Sequence, residues 1–237
     1  MEKNRLWPGG PVLRQPESVK LTTDTVLLAD FAEVRSGQKG ADLGCSSGAL
    51  MILLMQREAG LEMTGLELDY AALKLAEDNL HLNGMEERAE LIPGDMRETA
   101  ISIPNAGFDF VISNPPYFIP DSGVRSPVAE RAAARSGESC GTEDICRIAS
   151  RLCRSGGKVF FSYRPERLIS LLTQMTAYRL QPKRIRFVHH KLSSKASIVL
   201  VEGRKDGKES LCVEAPLILC REDGTESAEY RRIYHRN

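Results

Sequence analysis

From Gly40 to Tyr163 the chain alternates short apolar, β-rich runs with helical segments, and that alternation leaves few architectures open. Gly40 to Leu43 reads as a strand and Ala49 to Arg57 as an apolar helix. Glu62 to Leu68 follows as a second strand, and Tyr70 to Leu82 as an amphipathic helix stopped at Asn83-Gly84. Ala89 to Ile92 and Phe108 to Ser113 are further strands, Thr142 to Arg154 a helix, and Lys158 to Tyr163 a strand after a Gly156-Gly157 turn. Pro165 to Tyr178 is a helix with proline at its start. Repeated β-α units of this length predict an α/β fold with a doubly wound, mainly parallel sheet. Arg184 to His189 and Ala196 to Glu202 add an antiparallel pair, giving a seven-stranded sheet with an antiparallel final strand.

Outside this run, Asp24 is placed to cap a helix through Val26, Leu27, Leu28 and Phe31 that ends near Ser36-Gly37. Asp121 to Ser139 has no apolar period and reads as a mobile loop with one helical turn, and Pro216 to Cys220 as a tail strand before a polar end. With 237 residues, 42% hydrophobic, the chain can bury one sizeable core. No run approaches the roughly 20 apolar residues of a membrane span, and Met1-Glu2-Lys3-Asn4-Arg5 leads into no secretory segment, so a cytoplasmic location is expected. The six cysteines lack close pairs and accompanying histidines, which predicts free thiols and no metal. Basic and acidic residues balance at 32 each, so a nucleic-acid partner has to be held by local patches.

The strand ends carry the polar groups of interest. Asp42-Leu43-Gly44-Cys45-Ser46-Ser47-Gly48 joins the first strand to the first helix, where glycines let a ligand approach the backbone and helix amides face an anion. It lacks the full GxGxxG of a dinucleotide site. Glu67 ends the second strand close to the roughly 20-residue spacing at which an acid accepts from ribose hydroxyls, with Asp69 as its rival. Asp95 follows the third strand, placed to accept from an adenine amino group. Asn114-Pro115-Pro116-Tyr117 ends the fourth with an amide, two rigid carbonyls and an aromatic ring, a set suited to holding one flat amino nitrogen.

In order, Asp42 to Gly48, Gly65 to Asp69, Gly94-Asp95 and Asn114 to Tyr117 resemble the motifs of class I S-adenosylmethionine-dependent methyltransferases, over roughly residues 20 to 203. The resemblance implies a Rossmann-like fold with S-adenosylmethionine as cofactor. Asp42, Gly44, Cys45 and Gly48 would belong to the loop that cradles the methionyl part, Glu67 would take the ribose, and Asp95 the adenine. Thr22, Thr23 and Asp24 lie where the family closes over the methionine end, though helix capping is the stronger reading of them. Three parts are expected: residues 1–35 closing over the cofactor site, a methyltransferase domain over 36–203, and a C-terminal extension over 204–237 packed on it.

The catalytic residues expected are Asn114, Pro115 and Tyr117. An adenine amino nitrogen is a poor nucleophile because its lone pair is delocalised into the ring. If the Asn114 side-chain oxygen and the Pro115 carbonyl each accept one amino hydrogen, the lone pair turns toward the incoming methyl group and the developing positive charge is stabilised. Tyr117 would stack on a single-stranded or flipped-out base. The same tetrapeptide serves enzymes acting on adenine, on some RNA guanines and on a protein glutamine, and a non-catalytic RNA-binding module is a further reading.

Leu6-Trp7-Pro8-Gly9-Gly10, Thr23 to Ala29, Ala134-Arg135 with Glu138, and Pro216-Leu217-Ile218-Leu219 resemble the compact bacterial enzymes that make N6-methyladenosine beside the anticodon of a valine tRNA. The chain departs from their pattern in a longer Arg135-to-Glu138 spacing. The partner implied is tRNA, with no membrane and no metal, and the protein is expected to be a monomer or weak homodimer. Lys183, Arg184, Arg186, His189, His190, Lys191, Lys195 and the Arg231-Arg232-Ile233-Tyr234-His235-Arg236 tail are candidate RNA contacts. A solvated edge hairpin and a frayed terminus would carry the same residues.

Overall fold

The computed structural model of the chain describes residues 3–16, 21–115 and 140–235. The Asp121 to Ser139 segment, Pro116, Tyr117, Arg135, Glu138 and Arg236 lie outside them. An antiparallel hairpin, β1 (Lys3–Arg5) and β2 (Val12–Arg14), comes first. The main sheet contains β3 (Lys39–Leu43), β4 (Glu62–Glu67), β5 (Ala89–Pro93), β6 (Phe108–Ser113), β7 (Cys153–Tyr163), β8 (Leu180–His189) and β9 (Ala196–Lys205). Two-residue strands β10 (Cys212–Val213) and β11 (Leu217–Ile218) complete it. The helices are α1 (Thr23–Phe31), α2 (Ala49–Arg57), α3 (Tyr70–Leu82), α4 (Met96–Thr99), α5 (Thr142–Leu152), α6 (Leu168–Ala177) and α7 (Ala228–Ile233).

Across the sheet the order is β8-β9-β7-β6-β3-β4-β5, with β3 to β7 joined by parallel pairings and β9 antiparallel to both β7 and β8. The doubly wound, mainly parallel expectation therefore holds, but among the described residues the sheet has nine strands instead of seven. The two extra strands each pair with β8 over only two residues: β11 lies inside the tail strand expected over Pro216 to Cys220, whereas β10 is too short for a period in the sequence to announce it.

Both faces of the sheet are buried, and side chains alternate between them with the period of two that a strand imposes. Phe110, Ile112, Phe160, Ile198 and Leu200 pack with α1, α2 and α3 on one face. Ala41, Leu43, Val111, Val159, Phe161, Val199 and Val201 pack with α5 and α6 on the other. Helix α2 is buried from Ala49 to Met55, which is why its sequence is apolar all round instead of striped. Its last residue, Arg57, donates to the carbonyls of Ala29 and Ala32, both at 2.6 Å, and so closes the open end of α1.

Four local expectations are corrected. Asp24 does not cap α1: Thr22 holds the N-cap position without a side-chain capping bond, and Asp24 lies inside the first turn, where its charge suits the helix dipole. Helix α1 also stops at Phe31, short of Ser36-Gly37. Gly156-Gly157 is not a turn, because β7 runs through it from Cys153 with an irregularity in its pairing to β6. A Cβ on Gly157 would stand 2.7 Å from the Asp109 carbonyl, so the missing side chain serves close strand approach. The polar end of the chain contains a helix, α7, with Ser227 as its cap.

Gly40 on β3 faces Phe110 on β6, and a Cβ there would meet the Phe110 ring at 2.2 Å and the Met63 sulfur at 2.7 Å. Gly40→Ala is expected to destabilise the protein by about 1–3 kcal/mol through overpacking. Urea unfolding checks this; an unchanged midpoint would mean the core yields at that point.

Candidate active site

β3 pairs with β4 on one side and β6 on the other, so the connections leave β3 in opposite directions and open a crevice at the carboxyl ends of β3 and β6. Asp42 ends up beside that crevice, the Gly44 to Gly48 turn above it, Glu67 at the end of β4, Asp95 after β5 and Asn114 after β6. One rim of the sheet thus gathers the predicted residues that the structure describes.

The turn after β3 depends on backbone angles that side chains disfavour. Gly44 and Gly48 have φ of 81° and 74°, and Ser46 between them has φ of 50°. The amides of Gly44 and Cys45 donate to the Leu66 carbonyl at 2.9 and 3.0 Å, which ties the turn to β4. Cys45 is buried with its thiol pushed well above the ordinary value, chiefly by that burial, so it packs as a neutral group under the turn. Glu67 holds the turn from the other side: its carboxylate accepts from the Ser46 amide and from the Asp69 amide, each at 2.8 Å.

Asp42 is 1% exposed, and neither of its carboxylate oxygens has a hydrogen-bond partner among the described residues. Burial pushes its carboxyl up to about 8, and the Glu67 charge adds to the effect. Burial also raises Glu67, against the pull of the Asp69 and Ser46 amides. Two acids in one crevice, one without a donor, suit a ligand that brings hydroxyl donors and positive charge. S-adenosylmethionine, with its ammonium, sulfonium and ribose hydroxyls, fits that donor deficit.

Asp95 is differently placed. It is the N-cap of α4, accepting from the Arg97 amide at 2.9 Å, and its carboxylate also takes Arg97 Nε at 3.0 Å. That guanidinium holds its carboxyl below the usual range. An adenine amino group would share an anion already engaged by Arg97, which a carboxylate's several lone pairs allow. Asp69, the rival to Glu67, caps α3 by accepting from the Ala71 amide at 2.9 Å.

At the acceptor end, the buried Ser113 hydroxyl donates to the Leu43 carbonyl at 2.6 Å and joins the ends of β6 and β3. Asn114 follows, half-buried, with Nδ2 donating to Thr25 Oγ1 at 3.0 Å, and Pro115 is buried.

A family model for the methyltransferase small domain matches residues 19–139, just over half of the chain. The chain belongs to the methyltransferase small domain family. A tRNA1(Val) (adenine(37)-N6)-methyltransferase of Aeromonas hydrophila is 29% identical over 91% of this chain and 89% of that one. One of the same name from Tolumonas auensis is 33% identical over 60% of this chain, which spans 58% of that relative's length. Among solved structures, a predicted O-methyltransferase from Agrobacterium tumefaciens superposes with a TM-score of 0.74, at 22% identity over 90% of this chain and 96% of the other. S-adenosylmethionine is the cofactor of this methyltransferase, and Asp42, Gly44, Cys45, Gly48 and Glu67 lie together at the carboxyl ends of β3 and β4.

Two further residues of this methyltransferase bear on the site. Asn79, fully buried on α3, donates to the Ser47 carbonyl at 3.0 Å and accepts from the Arg14 amide at 2.7 Å, which fastens β2 to the cofactor turn. A polar residue on the buried Leu73-Ala76-Leu80 stripe of α3 was the available signal. Thr25, the partner of Asn114, lies in the Thr23 to Ala29 stretch that carries part of the resemblance, but nothing local pointed to its bond with Asn114, because a threonine in a first helical turn is ordinary. No group of His, Cys, Asp or Glu able to hold a metal ion occurs among the described residues, and no helix among them is long and apolar enough to cross a membrane.

The candidate RNA contacts divide. Arg184 donates to the Phe31 carbonyl at 2.7 Å and to Glu33 at 2.8 Å, beside Glu202 at 2.9 Å, and Arg186 grips the two Glu229 oxygens at 2.8 and 2.9 Å. Both serve internal attachment. Lys183 lies toward the start of β8, at the rim opposite the crevice, whereas exposed His190 and Lys195 flank the β8–β9 turn on the crevice rim.

Asp42 gives the ligand-free protein a pH dependence. Folded, it keeps its proton up to about pH 8; unfolded, only to about pH 4. Between the two the folded form binds more protons, so stability falls as pH rises, by at most about 1.4 kcal/mol per unit. Asp42→Asn removes this term, and its urea midpoint is expected to drop less than the wild type's between about pH 5 and 8. Parallel curves would show an unperturbed carboxyl.

Proposed function

We propose that this S-adenosylmethionine-dependent methyltransferase transfers a methyl group to N6 of an adenosine in tRNA, the one beside the anticodon of a valine tRNA. The observation that carries the reading is Asn114 at the carboxyl end of β6 with its amide nitrogen turned to Thr25, so that the carbonyl end of the amide points elsewhere. The name borne by the relative that aligns over 91% of this chain supports the same substrate.

When bound, S-adenosylmethionine supplies an electrophilic methyl group. Asn114 Oδ1 and the Pro115 carbonyl accept the two N6 hydrogens, which draws the nitrogen lone pair out of conjugation and steadies the positive charge that grows on it. The rigid Pro115 and Pro116 rings hold φ and deny the strand end any competing backbone donor at those positions. Tyr117 stacks on the displaced base and keeps its plane in register with the acceptors. The Gly44 to Gly48 turn, Asp42 and Cys45 hold the methionyl end, Glu67 the ribose and Asp95 the adenine. The reading also places the enzyme with its tRNA in the cytoplasm, as a monomer or weak homodimer, with His190 and Lys195 meeting phosphates near the crevice.

Incubation with labelled S-adenosylmethionine and total tRNA, followed by nucleoside analysis, is expected to yield labelled N6-methyladenosine. Labelled glutamine in protein with unlabelled tRNA would overturn the reading, as would label on guanosine. Asn114→Ala is expected to lower kcat by about a hundredfold or more while S-adenosylmethionine still binds. Equal turnover in mutant and wild type would remove Asn114 from the chemistry.

A further inference from the structure

An asparagine amide has two unlike ends, and only one of them suits an amino group. The substrate nitrogen presents hydrogens, so it needs Oδ1; were the amide turned over, two sets of donors would face each other. Turning the amide changes its outline very little, so shape alone selects weakly between the two arrangements. A hydrogen bond of fixed polarity is needed.

Thr25 is placed to supply one. Its Oγ1 accepts from Asn114 Nδ2 at 3.0 Å across 89 residues of sequence, and it stands 3.2 Å from Thr22 Oγ1. A threonine hydroxyl has one proton and two lone pairs. Either hydroxyl can donate in the Thr22–Thr25 contact; when Thr25 gives its proton to Thr22 Oγ1, only lone pairs face Asn114, and they select the amide's nitrogen end. The hydroxyl is also held firmly in space. The Thr25 amide donates to the Thr22 carbonyl at 3.2 Å, Val26, Leu27, Leu28 and Phe31 bury the rest of α1, and Arg57 closes its far end.

We propose that Thr25 is a positioning residue for methyl transfer: its hydroxyl oxygen takes one Asn114 amide hydrogen and thereby sets the carbonyl end of that amide toward the acceptor nitrogen. The inference rests on the function proposed above and adds to it a residue that never touches the methyl group. It assigns the first turn of α1 a part in the acceptor half of the site.

Thr25→Val keeps the branched shape and removes the hydroxyl, while Thr25→Ser keeps the hydroxyl and removes the methyl. With tRNA as acceptor, Thr25→Val is expected to lower kcat about tenfold, equivalent to about 1.4 kcal/mol of barrier, with S-adenosylmethionine affinity changed less than about twofold. Thr25→Ser is expected to recover kcat to within about threefold of wild type. A packing role predicts the reverse order, and valine as active as wild type, or serine as impaired as valine, overturns the proposal. The hydrogen bond is also read without substrate, from the solvent exchange of the Asn114 side-chain amide protons by nitrogen-15 NMR, assigned by their loss in Asn114→Asp. Exchange is expected to be about tenfold faster in Thr25→Val than in wild type or Thr25→Ser; equal exchange in all three overturns the proposal whatever the substrate. Slow exchange in wild type with no methylation of any RNA would instead overturn the substrate reading alone.

Discussion

With Phe110, Ile112 and Phe160 packed to one face of the sheet and Val111, Val159 and Phe161 to the other, the central strands have no side on which a polar group can meet water. Groups with chemical use are displaced to the strand ends. Asp42 and Ser113 illustrate the two outcomes there. Both are buried at the carboxyl ends of neighbouring strands; Ser113 satisfies itself on the Leu43 carbonyl, whereas the Asp42 oxygens find no donor among the described residues. At the opposite end of the sheet, buried Glu202 lies within 3.1 Å of Lys158 and 2.9 Å of Arg184. The buried acid at the far rim thus meets two cations, whereas Asp42 at the crevice meets no donor among the described residues.

The same two-sided burial explains what was legible in advance. Strands β4 and β6 and helices α2 and α3 are continuous apolar or cleanly striped runs, and their limits coincide with the sequence reading to within one residue. The site acids were legible for a related reason: a polar residue directly after a buried strand stands out against it. The Asn114–Thr25 bond was not, since it joins residues 89 apart and depends on how α1 docks, which no local period encodes. β10 escaped because two residues make no pattern, β11 was legible inside the Pro216 to Cys220 run, and Gly156-Gly157 misled because glycine marks close strand approach as well as turns.

Side chains, more than backbone pairing, fasten the chain's outer segments. Asn79 on α3 and Asn83, the residue that caps the helix four positions on, engage the backbone of β2 at Arg14 and Val12, as a neighbouring strand would. Trp7 after β1 stacks on His235 at 4.5 Å, and Arg232 of α7 pairs with Asp30 of α1 at 3.1 Å. These contacts bring both outer segments onto the elements that carry the site, α3 through Asn79 to the cofactor turn and α1 through Thr25 to Asn114. A disturbance of the hairpin would therefore reach the cofactor turn through a single buried amide.

The two halves of the crevice differ in the kind of force they use. The cofactor half is built from carboxyl groups whose pKa is raised by burial; in the proposed function a ligand that supplies the missing donors would stabilise the fold as it binds. The acceptor half, as far as the described residues extend, consists of Asn114, Pro115 and Thr25, none of which titrates in the physiological range. In the proposed function its contribution is the polarity and placement of hydrogen-bond acceptors, fixed before the substrate arrives. An amino nitrogen that must be bent out of conjugation without first being deprotonated calls for such a neutral, preset pair. Charge would add a titration to the acceptor step without adding direction, and direction is what the delocalised lone pair lacks.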